Sequence, residues 1–340
     1  MADSSKALAV LSGKLCPWLR PTLARLEQAR TSARLGHGWL LVGPQGVGKL
    51  NLALVFAGRL LAASSSDVGD LSPSEAIAAM RTRHQPDDHH PDLYWLFPEE
   101  GKRTIAVEQI RDVSQALSLK SHRGLAKVVI IEPAEAMTTA AANALLKTLE
   151  EPLGDTYLLL VSHQPGRLPA TIRSRCQRVN VPGPRVPDIA AWLGVSAADV
   201  AALQLLAGRA PLPIAALTLE DNSISNNSLM DSLDKISREK IDAQIVADQW
   251  LKLDVEAILS WLGRALHAAI RARFDAGGST PVTDPTGAAL HNLWRQLTLR
   301  ALFDQYRRTE TLSSQLGSGV NVELALKALL VGFQANRGHP

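Results

Sequence analysis

Apolar residues along the chain alternate between two periods. Residues 39–42 (WLLV) and 127–132 (KVVIIE) are short apolar runs, the pattern of strands buried on both faces of a parallel sheet. Residues 157–161 and 178–181 predict two more strands, and 92–97 another with weak alternation; Ile105 opens a further element. Between them the spacing lengthens to that of helices. Trp18, Leu19, Leu23, Leu26, Ala29 and Ala33 mark 17–34; Leu52, Val55, Phe56 and Leu60 mark 51–63. Ile110, Val113 and Leu117 mark 107–119, and Leu145, Leu146 and Leu149 mark 139–151, which Pro152 stops. Residues 64–73 are rich in Ser, Asp and Gly and read as a surface loop. Strands alternating with helices over 1–181 predict an open, mostly parallel α/β sheet.

The pattern changes after Pro182-Gly183-Pro184. Residues 186–219 are rich in Ala and Leu without a strand signal, which predicts a small helical domain, and the polar stretch 221–228 (DNSISNNS) reads as a linker. Everything from Leu229 onward is helical in period: Val255, Ile258, Leu259, Leu262, Leu266 and Ile270 form one stripe over 253–272, with amphipathic segments at 291–308 and 322–333. The expected class is therefore α/β plus all-α, in three domains: a parallel-sheet domain over 1–181, a small helical lid over 182–221 and a C-terminal helical domain over 222–340.

Composition narrows this little. A chain of 340 residues with 46% hydrophobic content can bury sizeable cores, and a net charge of +3 excludes a histone-like DNA binder while allowing a local basic patch. No apolar run approaches a membrane span, the first residues have no signal-peptide pattern, and two cysteines make no disulfide framework. The expectation is a soluble, cytoplasmic protein.

Chemistry enters with Gly43-Pro44-Gln45-Gly46-Val47-Gly48-Lys49-Leu50, between a predicted strand and a predicted helix. Seven residues fit a phosphate-binding loop in which Gly43, Gly46 and Gly48 let backbone N–H groups converge on phosphate and Lys49 supplies charge. The eighth does not: Leu50 replaces the Ser/Thr whose hydroxyl holds Mg²⁺. Glu132 stands where the loop's Mg²⁺-positioning acid is expected. In ATPases of the AAA+ class a Glu that activates water follows it, and here that place is Pro133. Both lesions fall on functions that hydrolysis requires.

The loop, His90-Pro91-Asp92, the run AANALLKTLEEP from Ala141 to Pro152, and Ser174-Arg175-Cys176 occur in an order and at intervals that closely resemble the bacterial DNA polymerase III clamp-loader subunits. The resemblance covers about 39–181 with high specificity and the rest in layout only. It implies an AAA+ fold with a lid and a C-terminal collar, and a role for Arg175, which with Ser174 and Cys176 as its motif would reach as an arginine finger into a neighbour's ATP site. A guanidinium offers a rigid fork of donors and permanent charge to a phosphoryl transition state. The resemblance thus implies a non-hydrolysing subunit of a hetero-oligomer. Its partners would be the gamma/tau motor subunits, the delta subunit, the sliding clamp and primed DNA. No cofactor is expected, since Gly43, Gly46, Gly48 and Lys49 can meet phosphate but lack the partners for turnover. The alternative is an active gamma/tau-like AAA+ ATPase, and a third reading leaves even Arg175 idle in a scaffold.

Other groups weigh less. Ser162-His163 follows the fourth strand where related motors carry a sensor residue, and Arg209 lies near a Pro-interrupted stretch where they carry another. Arg173 and Arg178 flank the finger motif. Residues 84–92 offer His and Asp, but no cysteines lie between Asn51 and Pro91 where relatives bind zinc, so no metal is expected. Cys176 has no Cys–His pattern around it. Lys120, His122, Arg123 and Lys127 are the densest basic stretch of the sheet domain, read either as a solvated turn or as a phosphate-backbone contact.

Overall fold

The computed structural model describes residues 11–32, 36–62, 68–81, 90–121, 126–219, 226–274, 297–316 and 320–335. The chain forms two compact units, Met1–Asp188 with Ala210–Ala215 and Ile189–Arg209 with Ala216–Pro340.

The first unit begins with β1 (Lys14–Leu15), which pairs in parallel with β3 (Gly69–Asp70). The main sheet has five strands, β2 (Gly38–Val42), β4 (Leu93–Leu96), β5 (Lys127–Ile131), β6 (Thr156–Ser162) and β7 (Gln177–Asn180). Their order is β4-β5-β6-β2-β7, every adjacent pair parallel. All of β2 and β5 is buried because both faces are covered, which is why their sequences run apolar instead of alternating. On one face Leu40, Val42, Val129, Ile131, Leu158 and Leu160 join a core with helices α4 (Val107–Ser118), α5 (Thr139–Glu150) and α6 (Ala170–Arg175). The other face takes α2 (Lys49–Ala62), with Phe56 edge-on to Trp39. Thr138 caps α5, its hydroxyl accepting from Ala141 N at 3.1 Å.

The helix predicted over 17–34 is a short 3₁₀ turn (Pro17–Leu19) running into α1 (Arg20–Thr31). The segment read as a loop over 64–73 contains β3 and leads into α3 (Pro73–Arg81). Glu75 explains this start: its carboxylate accepts from Ser72 N and Oγ and from Lys14 Nζ at 2.6 Å. The Lys14 ammonium, helped by Ser72, holds its carboxyl down at about 2.

Residues 186–219 are helical as expected, in α7 (Val186–Leu193), α8 (Ala197–Ala207) and α9 (Pro211–Leu219). Ser196 and Asp199 close a reciprocal cap on α8. The core of the second unit is built from α10 (Asn226–Ser237), α11 (Ala243–Trp250), α12 (Val255–Phe274), α13 (Leu299–Gln315) and α14 (Val322–Ala335). Ile258, Leu262 and Leu266 of α12 supply its centre, and Trp250 meets Trp261 edge-to-face. Three residues of the predicted polar linker, Asn226 to Ser228, open α10; the rest lies outside the described residues. Among the described residues no helix is long and apolar enough to cross a membrane.

Candidate functional site

The sheet order places the ends of β2, β6 and β5 side by side, so the loop after β2, Ser162 and Glu132 share the carboxyl edge of the sheet, where ligands of open α/β sheets bind. Gly43 N donates to Ser162 O at 3.3 Å, and Gly48, at φ +93°, makes the turn into α2 that a side chain would strain. The loop is held from outside. Trp18 Nε1 donates to Val47 O at 2.9 Å; Asn51 accepts from Cys16 N and donates to the Leu11 and Lys14 carbonyls. Residues 210–213 lie against Gly46, with Leu212 N donating to its carbonyl at 3.2 Å.

Lys49 is buried, and its ammonium donates to the loop's own Gly43 and Pro44 carbonyls, each at 2.7 Å. Burial pushes it down to about 8, against the opposing fields of Glu135 and Glu132. Leu50, on the first turn of α2, brings no oxygen to this edge. Because Lys49 binds its proton less tightly in the folded protein, the unfolded chain holds the extra proton between about pH 8 and 10.5, and this group makes stability rise with pH across that window. Lys49→Met is expected to remove this increment. Denaturant midpoints of both proteins at pH 7.5 and 10 check it, and identical slopes would refute it.

The sequence reading missed Glu135. Pro133 follows Glu132 as expected, but the next residues make a 3₁₀ turn (Ala134–Ala136) that carries Glu135 back to the edge. Its side chain is only 5% exposed, accepting from His163 N at 3.1 Å and Gln164 N at 2.9 Å and lying 3.3 Å from His163 Nε2. Burial pushes its carboxyl up, but the Ser162 hydroxyl, backbone N–H groups and His163 outweigh this and keep it low, hence ionised at neutral pH. The only signal available was an acid three residues beyond the strand-end Glu132. His163, expected with Ser162 as a sensor residue, engages this carboxylate, and the Ser162 hydroxyl lies beside it.

Arg175 ends α6 at the surface, its side chain 37% exposed. Nε donates to Glu150 Oε1 at 2.7 Å, Nη2 lies 2.6 Å from the same oxygen as an ion pair, and Nη1 donates to Thr171 O at 3.1 Å. Ser174 Oγ donates to the same carbonyl at 3.1 Å. Cys176 turns inward to the core, where burial pushes its thiol up to about 11, and Cys16 reaches about 12 for the same reason. Neither is a nucleophile at neutral pH. The motif thus divides into an inward anchor, Cys176, and an outward arginine. Arg173 and Arg178 are exposed beside it, Arg178 donating to Asn180.

Of the basic stretch, Lys120 is exposed and Lys127 is not. Lys127 is buried, donating to the Leu117 and Leu119 carbonyls at the end of α4, where an ammonium satisfies orphan acceptors. His122 and Arg123 lie outside the described residues, as do 84–89; Asp92 is buried, its N–H bonded to His90 Nδ1. Arg209 is exposed.

The family model "DNA polymerase III, delta subunit" matches residues 19–184, and "DNA polymerase III, delta subunit, C terminal" matches 224–335. The chain is 36% identical to a DNA polymerase III subunit delta' of Pseudomonas aeruginosa, over 72% of this chain and 74% of that one. It is 32% identical to that of Escherichia coli, over 94% of this chain and 95% of the other. The chain belongs to the DNA polymerase III delta' subunit family. The first match, 19–184, contains both the loop and Arg175, and the second contains α10 to α14. E. coli DNA polymerase III subunit tau is 30% identical over 73% of this chain but only 38% of its own length. Among solved structures, a DNA polymerase III gamma subunit-related protein of Thermotoga maritima matches 92% of this chain and 99% of its own at 17% identity, with a TM-score of 0.39.

Proposed function

We propose that this delta' family member is a non-hydrolysing subunit of a clamp loader, and that it lends Arg175 to the ATP site of a neighbouring motor subunit while the sliding clamp is loaded on primed DNA. The observation that carries the reading is the pair of lesions at the loop's edge: Leu50 has no hydroxyl to hold Mg²⁺, and Pro133 stands where the water-activating acid is expected. Residues 210–213 also lie against Gly46 of the same loop. Arg175, by contrast, is an exposed cation on a short helix, available to another chain. The partners are gamma/tau-type motors and the delta subunit in a hetero-oligomer. Residues 182–221 act as lid and the C-terminal helices as collar, where exposed Ile245 of α11 and Leu324 and Val331 of α14 lack apolar cover.

One observation favours a second reading, an active gamma/tau-like ATPase. Glu135 is a buried, ionised carboxylate at the carboxyl edge, and could stand in for the missing base at Pro133. The purified chain with labelled ATP and Mg²⁺ decides between them. No turnover above background is expected, and Mg²⁺-dependent hydrolysis lost in Glu135→Gln would establish the second reading instead.

A further inference from the structure

We propose that Glu150 is a positioning residue for Arg175, holding the guanidinium by its inner edge so that its outer end is presented to a neighbour's phosphate. The inference rests on the arginine-finger reading above and adds a second residue to it.

A guanidinium carries five N–H donors in a fixed plane. Glu150 Oε1 takes one from Nε and stands 2.6 Å from Nη2 as its ion-pair partner, and the Thr171 carbonyl takes one from Nη1. One N–H is left on each of Nη1 and Nη2, and such a pair matches two oxygens of a phosphoryl group. The contact with Glu150 therefore leaves the arginine's phosphate-binding capacity in place and removes its rotational freedom.

The anchor is also well mounted. Arg175 itself sits at the end of α6, six residues long, which holds the long side chain through the Thr171 carbonyl at Nη1. Glu150 ends α5, a twelve-residue helix whose Ala141, Ala142, Leu145 and Leu149 are buried in the sheet-domain core, together with Ile172 of α6. A contact between the two helices ties the mobile group to the rigid one, as a reacting group needs. Both side chains are more than a third exposed, so the pair is screened and contributes little to stability. Its value is orientation. Glu151, exposed and one residue further on, is not among the partners of Arg175 and serves as a charge-matched control.

The test uses the reconstituted loader with clamp and primed DNA, comparing Glu150→Ala, Glu150→Gln, Glu151→Ala, Arg175→Ala and the Glu150→Ala/Arg175→Ala double variant. Glu150→Ala is expected to lower the kcat of DNA-stimulated ATP hydrolysis about tenfold with little change in KM, since misplacement of a reacting group is felt in the transition state. Glu150→Gln keeps an accepting oxygen and should recover most of the rate; Glu151→Ala should match the wild type. The double variant should be no slower than Arg175→Ala. An unchanged or raised kcat in Glu150→Ala would overturn the proposal, the raised rate marking a contact that restrains the finger. A further loss in the double variant would overturn it too, by showing that Glu150 acts elsewhere. If Arg175→Ala itself has no effect, the finger reading and this inference fall together; if only Glu150→Ala has none, this inference falls alone.

Discussion

A loader reconstituted with Arg175→Ala is expected to turn over ATP roughly 10³ times more slowly at the interface this chain serves, the lower end of the range for arginine fingers acting in trans. The physical basis is the charge that develops on the transferred phosphoryl group, which a preorganised guanidinium stabilises without reorganisation. Arg175→Lys should recover only a small part of the rate, because a point charge cannot replace two parallel donors. Neither variant should move the melting temperature appreciably. Arg175 is exposed and its pairing with Glu150 is solvent-screened, so removing it leaves no buried charge behind. Single-turnover ATPase with thermal melts on the same preparations separates the two effects. Full turnover in Arg175→Ala would refute the finger assignment.

Much of this was legible in the sequence because it is local. The strand-loop-helix around Gly43 to Lys49 follows from an apolar run, three glycines and a helical period in consecutive residues. β2, β5 and most of β6 follow from apolar runs because both faces of the sheet are covered there. What stayed hidden depends on contacts between segments. Glu150 and Arg175 are 25 residues apart on different helices, and nothing in either helix's period announces their pairing. Glu135 returns to the carboxyl edge only because a 3₁₀ turn follows Pro133. Lys127 reads as part of a basic surface because a lysine at a strand start looks the same whether it points outward or caps carbonyls at a helix end. The pair of β1 and β3 is two residues long on each side, too short to leave any period. The fold is written in repeated patterns, while the site consists of single residues placed by packing.

Gly43→Ala is expected to destabilise the first unit by about 2–3 kcal/mol, the cost of overpacking combined with a weakened hydrogen bond. A Cβ at this position would stand 2.2 Å from Val181 O, a backbone atom that can yield only by moving the strand end. That movement pulls on Val181 N, which donates to Val42 O at 2.7 Å, and on Gly43 N, which donates to Ser162 O. The melting temperature should fall by roughly 5–10 °C. Gly58→Ala, in α2 with open space around it, should be neutral or slightly stabilising and controls for the loss of a glycine. In a working ATP site Gly43→Ala would act first on nucleotide binding, and ATP would raise the melting point of the wild type by mass action. In this chain the loop closes the junction of β6, β2 and β7, and β7 follows directly on Cys176, the inward anchor of the finger motif. The substitution should therefore cost stability equally with and without ATP. An ATP-dependent melting shift in the wild type, abolished in Gly43→Ala, would mean that the loop still serves a nucleotide instead of the strands around it.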